Sequence, residues 1–307
     1  MVGSALVRAL RAAGHQNMQL RDRRELDLTR QAEVERFFAA SRPSHVFLAA
    51  ARVGGILANS TFPAEFIRDN LAIQTNLIEA AYRNGATKLL FLGSSCIYPR
   101  LAPQPMSEAS LLTGPLEATN EWYAIAKIAG IKMCEAYRRQ YGFNAICVMP
   151  TNLYGPEDNF DLASSHVLPA LLRKFHEAAR SGVTTVEVWG TGNPRREFLH
   201  VDDLADACLF LMRNYDSAGW INVGWGRDLT IAELAQAVAR VVGFNGSIRF
   251  DASKPDGTPR KLLDTSKLTA LGWRPRIDLE AGLRSTYSWF LQNDAGSGQS
   301  QPGNRPA

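Results

Sequence analysis

"KLLFLGSS" (Lys88–Ser95) decides how this chain is read. Four apolar residues in a row, Leu89 to Leu92, run into a glycine and two hydroxyls. A strand without polar alternation is buried on both faces, and such strands belong to parallel sheets covered by helices on either side. "HVFLAAA" (His45–Ala51) and "NAICVMPT" (Asn144–Thr151) read the same way. Apolar spacing between these runs predicts helices over residues 29–41, with Val34, Phe37 and Phe38 on one face and Pro43 as the stop, over residues 63–84 and over residues 120–141. The chain opens on one more helix, "MVGSALVRALRAAGH", with Val2, Ala5, Leu6, Ala9, Leu10 and Ala13 on one face and Gly14 at its end. This alternation predicts an α/β fold, a Rossmann-like doubly wound parallel sheet.

After Pro150 the pattern changes. A loop leads to a helix through "HVLPALLRKFHEAA", "TVEVWGTG" is a short strand and turn, and "INVGWG" (Ile221–Gly226) is a further sheet strand. "DLTIAELAQAVARVVG" is a helix capped near Thr230, and "DASKPDGTPRKLLDTSKLTALGW" is a loop followed by a helix. The expected organisation is a dinucleotide-binding domain over 1–151, to which 196–226 returns. An interleaved α/β substrate lobe is expected over 152–195 and 227–292. Residues 293–307 hold no aliphatic side chain larger than alanine and are expected to be a disordered tail.

Composition narrows the function. Of 307 residues, 46% are hydrophobic and 21% charged, which is ordinary globular stock. A net charge of +4 is too mild for a nucleic-acid footprint but suits small polyanions such as nucleotides. No apolar run is long enough to cross a bilayer. The four cysteines, Cys96, Cys134, Cys147 and Cys208, are scattered without metal-ligand spacing, so no metal is expected and a reduced, cytoplasmic protein is.

Several residues carry candidate chemistry. Gly3 at a helix start can let a backbone approach a pyrophosphate, although a packing glycine reads equally simply. In "QLRDRRELDL" the arginines around Asp22, with Arg23 foremost, suit a 2′-phosphate and hence NADP; a solvated charged loop is the alternative. Tyr123 and Lys127 in "WYAIAKIAG" leave one helix face, and an ammonium beside a phenol lowers its pKa toward useful proton transfer. Ser94, just past a buried strand, can share a carbonyl with Tyr123. Ser, Tyr and Lys in this order form a carbonyl-reduction unit.

With these residues in place, the chain resembles the extended short-chain dehydrogenase/reductases, and among them the epimerase-reductase branch acting on GDP-4-keto-6-deoxy-D-mannose. "AAARVGGI", "LFLGSSCIYP", "YAIAKIAGIK", "MPTNLYGP", "REFLHVDD" and "DASKPDGTPRKLLD" carry the resemblance over about residues 1–292. It implies epimerisation at carbons 3 and 5, then NADPH reduction at carbon 4, giving GDP-L-fucose. It also implies roles. Tyr123 is the acid-base group, Lys127 lowers its pKa and holds the nicotinamide ribose, and Ser94 bonds the keto oxygen. Cys96 and His166 are the acid and base for inversion; alone, they would read as a core cysteine and a helix cap. Leu92, Gly93, Ser94, Ser95, Lys127, Pro150, Thr151, Asn152, Leu153 and His166, with Gly3 and Arg23, are expected to line the cofactor. Lys174, Trp189, Arg196 and Asp256 are expected at the sugar nucleotide. Lys174 replaces the arginine of that branch, a point charge for a two-pronged contact, and adjacent Arg173 could compensate. A homodimer through the 63–84 and 120–141 helices is implied as well.

The branch carries a strand and a GxxGxxG loop ahead of its first helix, and Gly3 matches the last of those glycines. The expectation is therefore a truncated start. In strand order 3-2-1-4-5-6 the absent strand is central, so two neighbours would keep orphaned backbone groups and NADPH would bind weakly. Two alternatives stand beside the leading function: another nucleotide-sugar 4-epimerase or 4-reductase, which has no need of Cys96 and His166, and a catalytically inactive remnant.

Overall fold

The structure is a computed structural model that describes residues 1–162, 164–254 and 256–294. Four parallel strands form its main sheet, in the order His45–Leu48, Lys88–Leu92, Ala145–Pro150 and Trp220–Val223. Every residue of the two inner strands is buried. Strand side chains alternate between two cores. Leu89, Phe91, Cys147 and Met149 pack with helices Gln31–Ser41, Pro63–Arg83 and Glu121–Tyr141. Leu90, Leu92, Ile146 and Val148 pack with helices Val2–Ala12 and Val201–Asn214. That two-sided burial is the doubly wound arrangement the apolar runs predict.

Three expectations need correction. The His45–Leu48 strand is not buried throughout: His45 is exposed and Phe47 half-buried, because the strand lies at a sheet edge. There is no gap with orphaned neighbours inside the sheet. His45–Leu48 pairs directly with Lys88–Leu92 in continuous register and forms the edge of the sheet. Nor does a strand precede the arginine loop among the described residues. Residues 21–25 instead form a turn in which Asp22 Oδ1 accepts from the amides of Arg24 and Glu25.

The second lobe grows out of the first. Thr151 donates its amide to Val223 of the main sheet, and Asn152–Tyr154 already pairs with Arg195–His200. That strand also pairs with Arg260–Lys261 and, antiparallel, with Asp228–Thr230. Thr185–Trp189 pairs with Ser247–Asp251 to form a separate ribbon. A third core, including Leu172, Phe175, Leu234, Val238 and Leu283, lies beneath them. The helix Ile231–Val242 starts on a capping box of Thr230 and Glu233, as its cap residue predicts. The sequence reading missed the Ser247–Asp251 strand and the final helix. That helix, Leu279–Asp294, takes in the first two residues of the expected tail, and 295–307 lie outside the described residues.

Two features fix the depth of the Glu121–Tyr141 helix. A Cβ on Gly130 would stand 2.4 Å from the Phe91 ring and 2.8 Å from Gln74 Oε1, so only glycine permits this approach. Gln74 Nε2 in turn donates to the Ala126 carbonyl at 2.6 Å.

Lys88 illustrates how a buried charge is held. Its Nζ donates to the carbonyls of Leu211, Met212 and Tyr215 and to Asp216, closing the end of the Val201–Asn214 helix. Lys88→Met strands those buried carbonyls. We expect a loss of about 2–3 kcal/mol, read as a lower urea midpoint at unchanged slope.

Candidate active site

Ligands of open parallel sheets bind beyond the carboxyl ends of the strands. Here those ends carry Gly93–Cys96, Pro150–Leu153 and Gly224–Gly226. Ser94 caps the short turn Ser95–Ile97, and its Oγ accepts the Cys96 amide at 3.4 Å. Tyr123 and Lys127 reach the same place from the Glu121–Tyr141 helix. Lys127 Nζ donates to the Leu92 carbonyl at 2.8 Å and stands 5.7 Å from the centre of the Tyr123 ring. Ser94 lies near enough to the phenol to oppose the rise in its pKa. Ser94, Cys96, Tyr123 and Lys127 therefore form one cluster.

Burial governs the protonation of this cluster. It pushes the Tyr123 phenol well above its ordinary range, with the Cys96 sulfur adding to the effect and the Ser94 hydrogen bond opposing it. The expected lowering by Lys127 is not found: burial dominates, and the phenol rests as a neutral proton donor. Burial also pulls Lys127 down to about 8, against the pull of Cys96. It raises the Cys96 thiol, while Lys261, Ser94 and Lys127 hold it back.

His166 caps the Val167–Ser181 helix, and its pKa is lowered, first by burial and then by the charge of Lys261. The charge of Lys261 is thus felt at Cys96 and at His166 alike, and burial lowers the pKa of Lys261 itself. The sequence reading quoted Lys261 within "PRKLLD" but gave it no role; nothing local sets it apart from Arg260 beside it. Glu197 was missed too. It is fully buried, and its carboxylate accepts from the amides of Gly226 (2.7 Å) and Leu263 (3.0 Å). Its carbonyl takes the Asn152 side chain at 2.8 Å. One residue thereby ties the Pro150–Leu153 segment to the strand end that carries Lys261.

The expected sugar-nucleotide residues gather on the second lobe. Trp189 is 63% exposed, and the ammonium groups of Lys174 and Lys254 lie 5.3 and 5.7 Å from its ring centre. Arg196 Nη2 donates to the Asp256 carbonyl at 3.5 Å. The Asp256 carboxylate is engaged by Thr191, through its amide at 2.7 Å and its hydroxyl at 2.8 Å, so it shapes the turn beside Trp189. Arg173 is engaged by Glu177 and by the Phe160 carbonyl.

Two expected cofactor residues stay apart from the cluster. Arg23 is exposed, and its charge is felt at Asp27. Gly3 lies in the first turn of the Val2–Ala12 helix, with open space beside its Cα. A nicotinamide ribose fits at Lys127. Among the described residues its ammonium has one hydrogen-bond acceptor, Leu92, and an ammonium has three donors.

The NAD dependent epimerase/dehydratase family matches residues 1–224. A probable GDP-L-fucose synthase 1 from Oryza sativa subsp. japonica is 62% identical over 294 residues, covering 95% of this chain and 90% of that protein. GDP-L-fucose synthase from Escherichia coli (strain K12) is 58% identical over 302 residues, with coverage of 95% and 94%. Among solved structures, a GDP-mannoheptose C4 reductase from Campylobacter jejuni with NADP bound superposes with a TM-score of 0.88 at 41% identity, covering 94% of this chain and 95% of that one.

The depressed Lys127 value can be read directly. After reductive ¹³C-methylation, one lysine signal should titrate with a midpoint near pH 8, charged below and neutral above, and be missing from Lys127→Met. A Lys127 signal that titrates near its ordinary 10.5 contradicts the burial described above.

Proposed function

The chain belongs to the NAD-dependent epimerase/dehydratase family, and from that premise we propose that it is a GDP-L-fucose synthase. It is an NADP-dependent enzyme acting on GDP-sugars, and its substrate is GDP-4-keto-6-deoxy-D-mannose. Carbons 3 and 5 are inverted, and the ketone at carbon 4 is then reduced. The observation that supports this reading is the cluster of Ser94, Cys96, Tyr123 and Lys127 at the strand ends, with the charge of Lys261 felt at both Cys96 and His166.

A ketone at carbon 4 acidifies the hydrogens on both neighbouring carbons. Removing either proton puts negative charge on the keto oxygen. Ser94 and the neutral Tyr123 phenol donate hydrogen bonds to that oxygen and stabilise it. Inversion then needs a base on one sugar face and an acid on the other. Cys96 and His166 share one mobile proton between them, and Lys261 biases both. It raises the share of Cys96 present as thiolate, the form that can accept a proton, and it weakens the hold of imidazolium on its proton, making His166 the stronger acid when protonated. The proton leaves carbon to sulfur and is replaced from nitrogen on the opposite face.

Bound NADPH supplies the hydride that carbon 4 receives. As charge grows on the oxygen, Tyr123 gives up its phenolic proton, and Lys127 stabilises the phenolate left behind. Lys127 also offers its two spare N–H groups to the ribose hydroxyls. Pro150, Thr151, Asn152 and Leu153 line the nicotinamide side, with Leu92, Gly93 and Ser95 beneath. Gly3 belongs with the pyrophosphate and Arg23 with the 2′-phosphate. On the other side Trp189 covers the nucleotide, while Lys174 and Arg196 meet its phosphates and Asp256 holds the turn.

The reading extends to a cytoplasmic homodimer packed through the Pro63–Arg83 and Glu121–Tyr141 helices. Trp122, Ile125 and Tyr141, exposed on the latter, support this packing, and the four free cysteines suit a reducing compartment. No helix among the described residues is long and apolar enough to cross a membrane.

The test separates the two half-reactions. In D₂O the enzyme should place deuterium at carbons 3 and 5 of the keto sugar without NADPH. Cys96→Ser and His166→Asn should each slow that exchange by roughly 10²–10⁴-fold. The oxidation of GDP-L-fucose by NADP⁺, which needs no inversion, should be spared in Cys96→Ser and fall far less than the exchange in His166→Asn, whose imidazole is also expected beside the cofactor. Undiminished exchange in both variants assigns the inversion to other residues.

A further inference from the structure

Tyr123 and His166 come from different parts of the chain, and one short junction touches the supports of both. It is Gly54–Gly55, at the start of the Ile56–Thr61 helix. On one side, a Cβ on Gly54 would stand 2.9 Å from Ala58 Cβ, within the helix that follows, and 3.2 Å from Phe66 Cζ, and Phe66 meets the Tyr123 ring edge-on at 6.4 Å. On the other side, the Gly55 amide donates to the Ser164 carbonyl at 3.2 Å. A Cβ on Gly55 would stand 3.1 Å from the Ser165 carbonyl oxygen and 3.3 Å from that of Ser164. The next residue after this turn is His166.

The turn is also closed on itself, the Ser165 amide donating to the Asp161 carbonyl at 2.8 Å. Ser164 bonds within its own loop, to Asp161 and Asn159. Ser165 Oγ is buried with no partner among the described residues. The junction itself is held firmly: Asn59 Nδ2 donates to the carbonyls of Gly54 (2.8 Å) and Gly55 (3.0 Å). Asn70 exchanges two hydrogen bonds with the Arg52 backbone just before it.

We propose that Gly54 and Gly55 are positioning residues that set the spacing between the two proton-transfer centres, Gly54 through Phe66 to Tyr123 and Gly55 through the Ser164–Ser165 backbone to His166. The two sides differ in compliance. Phe66 is a side chain that can turn, whereas Ser164 and Ser165 present backbone carbonyls. A methyl group at Gly55 is relieved only by moving the turn, and His166 moves with it. The φ of Gly55 is −66°, which alanine adopts freely, so the penalty is spatial and not conformational.

The inference rests on the function proposed above, so the experiment reads both halves of that function in the full chain. Deuterium wash-in at carbons 3 and 5 reports inversion, and NADP⁺-dependent oxidation of GDP-L-fucose reports Tyr123 chemistry. Gly55→Ala should lower wash-in at least tenfold and leave oxidation within about twofold of the parent. Asn59→Ala frees the junction without adding bulk and should shift the ratio in the same direction; it decides the matter alone if Gly55→Ala does not fold. Gly54→Ala should lower both activities together. Equal losses in both assays for Gly55→Ala at an unchanged melting temperature, or parental wash-in in Gly55→Ala and Asn59→Ala, overturns the inference while leaving the proposed function intact. A parent enzyme with no wash-in overturns both.

Discussion

The hydrogen bond from Lys127 Nζ to the Leu92 carbonyl joins the catalytic helix to the end of a central strand. An ammonium enclosed in protein is costly unless it is satisfied, so the helix cannot slide without losing that compensation. Gly130 lets the helix come close enough for the bond to form, and the Phe91 ring, 4.8 Å from the ammonium, covers it from below. Tyr123 lies one turn earlier on the same helix. Its height above Ser94 follows from the same contact. Geometry and protonation are thus set together, because the burial that makes the bond necessary also keeps the phenol neutral.

The second half of the site follows another logic. Cys96 and His166 are not held by hydrogen bonds to each other. They are related through Lys261, whose charge favours the anion of one and disfavours the cation of the other. A single ammonium at that point does opposite work on two groups that must play opposite parts. Glu197 is what keeps it there. A carboxylate with no exposure accepts the Leu263 amide, two residues beyond Lys261, and its own backbone carbonyl supports Asn152.

Much of this was legible in the sequence, for identifiable reasons. Strands buried on both faces leave an uninterrupted apolar run, so Leu89–Leu92 and Ala145–Met149 announced themselves. Tyr123 and Lys127 were visible because a helical repeat brings residues four apart to one face. The edge position of His45–Leu48 was not visible, since an apolar run does not say how many neighbours it has. Pairing across long distances was hidden for the same reason: nothing near Lys261 says that its neighbours in space are Cys96 and His166. Gly54 and Gly55 stood inside a quoted motif without a reason until their neighbours were known.

The chain leaves one sheet and enters another within three residues. The amide of Thr151 belongs to the main sheet through Val223, and Asn152 already pairs with Phe198 of the second. This crossing lies where the nicotinamide ring is proposed to rest. The same short segment is therefore both the seam between the two sheets and the proposed wall of the dinucleotide cleft, so a substitution at this crossing bears on both at once.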